Sequence, residues 1–296
     1  MTAKGRATAT AWRAAVHAAL RAAARAVRRL TVSAGQRVVA GRADGYRPWD
    51  PEVLGVDTRA ERAILAALVR HGVHGTVLSE EAGETSLGRP RGRAEPVYAV
   101  IDPFDGSLLY RRGIRAHWFT ALGLYGEDGT PRCAGVIDHV TGEVTLADRS
   151  GAVRAARPGA RPVPLRPART ASLDGAFLEA YMMKPAFLYP TATALRPLIE
   201  RARFVLPNGG PGGFADVASG RIDVYLCWQE ALTEIFSALY VAERAGCVVS
   251  HWDGSPVRFR PDIHALHDLV CSANPRLHDE VLRALAGIMP PKGLVP

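Results

Sequence analysis

The stretch that most constrains this chain is an apolar run, Val97 to Ile101, that breaks off into Asp102-Pro103-Phe104-Asp105-Gly106-Ser107. The run predicts a buried strand that delivers Asp102 at its C-terminal end. Pro103 is expected to stop the strand, and Gly106 to let the backbone turn tightly towards whatever is bound. Two carboxylates three residues apart at a strand end suit a hard cation such as Mg2+, which takes oxygen ligands. The same residues also read as an acidic turn in which Asp105 caps the segment Ser107 to Arg111. This stretch alone does not choose between the two.

Around it the chain alternates. Asp57 or Thr58 is a candidate N-cap for a helix over Arg59 to His71, with Ile64, Leu65, Ala67 and Leu68 on its apolar side. Val77-Leu78 is a short strand followed by Glu80-Glu81, and Gly83 to Ala94 reads as a polar loop. Trp118 to Tyr125, Cys133 to Ile137 and Glu143 to Ala147 predict an antiparallel meander. In the second half, strands are expected at Phe177 to Tyr181, Phe204 to Leu206 and Ile222 to Cys227, with helices at Thr191 to Arg201, Phe214 to Ser219 and Thr233 to Ala245. Val248-Val249 and the Asp253-Gly254 turn complete the pattern with a hairpin. This alternation indicates an α/β or α+β sandwich. The proline- and arginine-rich segment from Arg154 to Thr170 marks a boundary between two lobes, residues 1–155 and 156–296.

Composition narrows the function. The net charge of +8 is concentrated in residues 1–43, which hold nine Lys or Arg and no acid, so the rest of the chain is close to neutral. A basic end on a neutral body argues against a nucleic-acid protein with a broad basic face. The segment from Ala11 to Val32 is expected to be the first helix, with Ala14, Ala18, Leu20, Val27 and Leu30 on one face, rather than a transit peptide. No apolar run is long enough to span a membrane. Four well-separated cysteines, without a C-x-x-C pair, fit neither a zinc site nor a disulfide framework and suggest a cytoplasmic protein.

The remaining carboxylates each have a local explanation. Glu80-Glu81 follows a strand, Asp57 precedes a helix, and Glu234 opens one, where it complements the helix dipole. Their order is more specific: an acid at a helix start, an acid pair after a strand, D-P-F-D-G-S, then a late acid ahead of R-A-G-C. In this order the chain resembles the inositol monophosphatase-like family of metal-dependent phosphatases, over roughly residues 40 to 260. The resemblance implies an α+β fold, a layered α-β-α-β-α sandwich. It implies Glu80, Asp102, Asp105, Glu234 and the carbonyl of Phe104 as ligands of two or three Mg2+ ions, with Glu81 beside them. Asp57 and Ser107 would position and deprotonate the attacking water. The N–H groups of Gly106 and Ser107 would face the phosphate, and Asn208, Gly209 and Gly210 would meet the substrate.

Several positions depart from the family pattern. Glu234 stands where the family has aspartate, and Thr233 replaces the tryptophan before it; Glu230, one turn earlier, is a weaker substitute. Cys227 occupies the place of a substrate-contacting acid. The lysine expected before Asp57 is missing, with Tyr46 and Arg47 nearest. Asn208 to Gly213 is richer in glycine than the family's G-[ST]-A-A segment. These changes point away from inositol phosphate and towards another small phosphorylated sugar, cyclitol or nucleotide. A member that binds a ligand or partner without hydrolysis is the alternative they raise. The family often forms dimers, so a homodimer is implied, with no nucleic-acid or membrane partner.

Overall fold

The structure, a computed structural model, describes residues 3–41, 52–90, 95–157 and 159–289. Tyr46 and Arg47 lie outside the described residues. Helix α1 (Ala3–Arg28) and the short α2 (Val32–Gln36) lead into an antiparallel ribbon, β1 (Val38–Gly41) with β2 (Glu52–Leu54), and then into α3 (Gly55–Arg70). The first sheet is built from β3 (Gly75–Ser79), β4 (Gly83–Leu87) and β5 (Val97–Asp105). After α4 (Ser107–Arg111) it continues with β6 (Phe119–Gly126), β7 (Pro131–Asp138), β8 (Val144–Asp148), β9 (Gly151–Ala155) and β10 (Val163–Pro164). Its order is β10-β9-β8-β7-β6-β5-β3-β4, antiparallel throughout except for the parallel β3–β5 pair.

The second half contributes β11 (Phe177–Ala180), α5 (Pro185–Ala194), α6 (Arg196–Ile199), β12 (Phe204–Leu206), α7 (Pro211–Ala218) and β13 (Val224–Ala231). Then follow α8 (Leu232–Phe236), α9 (Leu239–Ala245), β14 (Val248–His251), β15 (Leu266–Ser272) and α10 (Pro275–Leu285). This sheet runs β12-β11-β13-β15-β14, with β11 parallel to both of its neighbours.

Three hydrophobic cores fill the four interfaces between five layers, the central one serving two. Leu20, Ile64 and Leu68 of α1 and α3 pack on one face of the first sheet, against Ile101 and Leu122. The other face, with Val100 and Ala121, meets α7, α8 and α9, which also cover Tyr225 and Cys271 of the second sheet. The outer face of that sheet is closed by α5, α6 and α10 through Phe187, Leu198 and Val281. The result is the layered α-β-α-β-α sandwich. Since β5 is covered on both sides, it reads as an unbroken apolar run rather than an alternating one.

Several boundaries differ from the expectations. On α1 the buried residues include Trp12, Ala15, Val16, Ala19 and Leu20, whereas Ala14 is exposed and Ala18 half-buried. Alanine at so many positions hides the helical period. The polar loop from Gly83 contains an edge strand, β4, whose pairing with β3 needs no apolar face. The helix expected at Thr191 begins at Pro185 and breaks at Leu195, where Pro197 of the next short helix supplies no N–H. The Asp253-Gly254 turn forms, but the partner of β14 is the later strand β15.

The helix expected over Thr233 to Ala245 is two helices, interrupted at Ser237–Ala238. Tyr125 Oη of the first sheet donates to the Phe236 carbonyl at 2.8 Å, so that carbonyl is engaged outside the helical ladder. The same carbonyl lies where a Cβ on Gly123 would come within 2.2 Å of it. Gly123→Ala is therefore expected to lower stability by about 1–3 kcal/mol through overpacking against backbone. An unchanged urea unfolding midpoint would contradict this contact.

Candidate active site

Asp102 and Asp105 both remain within β5. The strand does not stop at Pro103. Asp102 pairs with Ala121 and Asp105 with Phe119, and the register shifts between them, so Pro103 and Phe104 form a bulge rather than a terminating turn. A bulge tolerates proline because the extra residue sits outside the hydrogen-bond ladder. The bulge is held from below: Thr120 Oγ1 donates to the Pro103 carbonyl at 2.6 Å, and His139 Nε2 lies 2.7 Å from the same hydroxyl. Burial pushes the His139 pKa down to about 4, so its ring is neutral at physiological pH. The Phe104 ring is wedged against Tyr110 and His139, each at a centroid distance of 5.2 Å. Gly106 follows at φ +90°, and a Cβ there would lie 2.0 Å from the His117 carbonyl oxygen. Only glycine fits.

Glu80 arrives from the turn joining β3 to β4, and its N–H donates to the Ile101 carbonyl at 3.2 Å. Glu81 is beside it in that turn, half-buried. The turn is clamped by Glu61 of α3, whose carboxylate accepts from Ser79 Oγ and from the Ala82 N–H. Burial raises the Glu61 pKa. Glu61 was not anticipated from sequence, although its i, i+4 relation to Asp57 on one helix face was a usable signal.

Asp57 is not an N-cap. The helix begins two residues earlier, at Gly55, and Asp57 reaches back from its third position to accept the Leu54 N–H at 2.7 Å through Oδ2. Its other oxygen accepts from Ser107 Oγ at 2.6 Å, and the Phe104 carbonyl lies 2.9 Å from that hydroxyl.

Glu234, from the start of α8, completes the cluster. Carboxylate oxygens of Glu80, Asp102 and Glu234 all lie within 4.8 Å of one another, and all three residues are buried. Three anions at this spacing repel by roughly 3 kcal/mol per pair at an effective dielectric constant of about 20. An all-oxygen donor set without His or Cys suits Mg2+, Ca2+ or Mn2+ rather than a softer metal. The residues therefore fit a hard divalent cation.

Asp105 and Glu234 open onto a cleft of about 270 Å3 that is also lined by Gly106, Ser107, Asn208, Gly209, Gly210 and Glu230. The glycine-rich loop approaches closely enough that a Cβ on Gly210 would lie 2.9 Å from Asp105 Oδ2. The Gly210 N–H donates to Tyr225 Oη at 2.9 Å. The Asn208 side chain is anchored inward, its Nδ2 donating to Glu179 Oε1 at 2.8 Å. Cys227 is buried in the core between the sheets, with its thiol 3.7 Å from the Leu269 carbonyl. A bulge at Gln229, where φ is +50°, shifts the register after it and brings Gln229 and Glu230 to the cleft wall. Counting along an unbroken strand does not show this.

The fold is a five-layer α+β sandwich that places a buried carboxylate cluster in one site with a Ser–Asp pair. The model of the inositol monophosphatase family matches residues 6–289, and the chain belongs to that family. Members of the family are phosphatases that use divalent metals. An inositol-1-monophosphatase from Synechocystis sp. is 27% identical over 242 residues, covering 79% of this chain and 76% of that protein. Among solved structures, the extragenic suppressor protein suhB from Bartonella henselae has a TM-score of 0.75 at 20% identity, covering 95% of this chain and 100% of that one. Inositol monophosphatase from Anabaena (Nostoc) sp. gives a TM-score of 0.72 at 22% identity, covering 94% and 96%. At these identities the structural likeness speaks for the fold. Among the described residues no helix is long and apolar enough to cross a membrane.

Glu179 makes the loop sensitive to pH. Burial first, and the charge of Asp216 second, raise its pKa from the usual 4.5 to about 8. The folded protein therefore holds this proton more tightly than the unfolded chain does. That stability is fully present below about pH 4.5 and is lost as pH rises through 8. Glu179→Gln is expected to flatten the fall in melting temperature between pH 5 and 9. A profile as steep as that of the wild type would refute the assignment.

Proposed function

We propose that the protein hydrolyses the phosphate monoester of a small phosphorylated metabolite in a Mg2+-dependent reaction. The observation that carries this reading is the buried Glu80–Asp102–Glu234 cluster within one site of the Ser107–Asp57 hydrogen bond. Glu80, Asp102, Asp105, Glu234 and the Phe104 carbonyl would hold two or three Mg2+ ions. Ions held there would lower the pKa of the attacking water and offset charge on the departing oxygen.

The protein's own groups orient the reaction. Ser107 has one hydroxyl proton, directed to Asp57 and the Phe104 carbonyl, so its lone pairs are left to accept from the attacking water. Asp57 holds that hydroxyl and is the proton acceptor closest to it. The backbone at Gly106 and Ser107 faces the phosphate, and Asn208 to Gly210 shape the side from which the alcohol leaves. Residues 1–155 would form one lobe supplying most ligands, and residues 156–296 a second lobe supplying Glu234 and the glycine-rich loop. The longer side chain at position 234 reaches the cluster, which favours hydrolysis over a binding-only role.

A phosphate-release screen over sugar, inositol, nucleotide and benzyl-type monoesters, with and without Mg2+, tests the proposal. Asp102→Asn is expected to abolish turnover, and Ser107→Ala to lower kcat by about 10²–10⁴-fold. No turnover of any ester by the wild type, or full turnover by Asp102→Asn, would sink it. EDTA is also expected to lower the melting temperature, because bound metal then no longer offsets the mutual repulsion of the three carboxylates. An unchanged melting temperature in excess EDTA would count against the metal site.

A further inference from the structure

Resting on the phosphatase reading, we infer that the substrate carries its phosphate on an apolar body ending in a second anionic group, and that Arg112 selects that group. The cleft has unlike ends. Asp105, Glu234 and Ser107 line the part nearest the carboxylate cluster. Moving outward along α4, the wall becomes Leu108 and Leu109 and then Arg112, with Met183 and Lys184 also lining the cleft.

The helix serves as a ruler. Ser107 and Arg112 are five residues apart, about 7.5 Å along a helix axis. A phosphate held beside Ser107 leaves Arg112 for another part of the ligand. Arg112 makes no ion pair among the described residues, so its charge is not already neutralised by the acids of the site.

Between these two points the wall is apolar. Leu108 is 43% exposed and Met183 38%, an arrangement that leaves large apolar side chains facing a cleft instead of a core. A polyol placed there would lose water from its hydroxyls against leucine and methionine, at a cost its few remaining partners do not recover. Glu230, also in the lining, is buried, with its carboxylate near Tyr225 Oη and Gly209. A volume of about 270 Å3 holds one ring with an anion at each end.

Non-hydrolysable phosphonates test this independently of turnover. Dissociation constants of benzylphosphonate, 4-carboxybenzylphosphonate and p-xylylenediphosphonate are measured by calorimetry on the full chain with Mg2+. The two dianionic-ended probes are expected to bind at least about fivefold tighter than benzylphosphonate, a partly exposed charge pair being discounted for screening. Preference for the diphosphonate alone assigns the second group as a phosphate; preference for both admits a carboxylate. Arg112→Gln should remove the difference, and Arg112→Lys should retain part of it. Equal affinities for the three probes, no binding of any, or an Arg112→Gln variant that weakens all three alike would overturn the inference. Failure of the phosphatase reading shows differently, as an intact order of affinities with no phosphate released from the corresponding esters.

Discussion

Glu80, Asp102 and Glu234 reach one another from a hairpin turn, a bulged strand and the start of a helix, elements drawn from both halves of the chain. Bringing three carboxylates out of water into a space 4.8 Å across is unfavourable unless a cation shares it. Much of the local architecture resists the rearrangement that repulsion would otherwise drive. Glu61 grips the turn carrying Glu80, Thr120 fixes the bulge beside Asp102, and the Phe236 carbonyl ties the Glu234 helix to the first sheet. Thr120 and the Tyr125–Phe236 pair are uncharged, so neither brings a cationic counter-charge to the cluster.

A second tier of buried polar contacts shapes the cleft rather than the cluster. Tyr225 holds the Gly210 N–H, and Glu179 holds the Asn208 amide, from opposite sides of one glycine-rich loop. Glycine lets this loop approach Asp105, Glu230 and the Tyr181 Cβ more closely than a side chain would permit. Close approach without side chains gives shape but little chemistry, which leaves selection among substrates to α4 and the β11–α5 segment.

The fold was largely legible because the strands of the first sheet and helix α3 carry strong periods, and because D-P-F-D-G-S has few alternative uses. What could not be read were events that depend on partners distant in sequence. The bulge at Pro103 looks like a strand stop until β6 is seen beside it. The break at Ser237 follows from a tyrosine more than a hundred residues earlier. The bulge at Gln229 defeats residue counting, so Glu230 reached the cleft wall while Cys227 turned to the core. Only its spacing from Asp57 pointed to Glu61, since burial is not visible in a single sequence.

The contact between Tyr125 and the Phe236 carbonyl also bears on assembly. Glu234 is the one member of the buried cluster that comes from the second half of the chain, and its helix is seated on Gly123 and Tyr125 of the first sheet. The cluster therefore cannot close until the two sheets have docked through α8. In kinetic terms, if docking follows the rate-limiting barrier, any cation the cluster holds would be captured after it and would show as slower unfolding rather than faster folding.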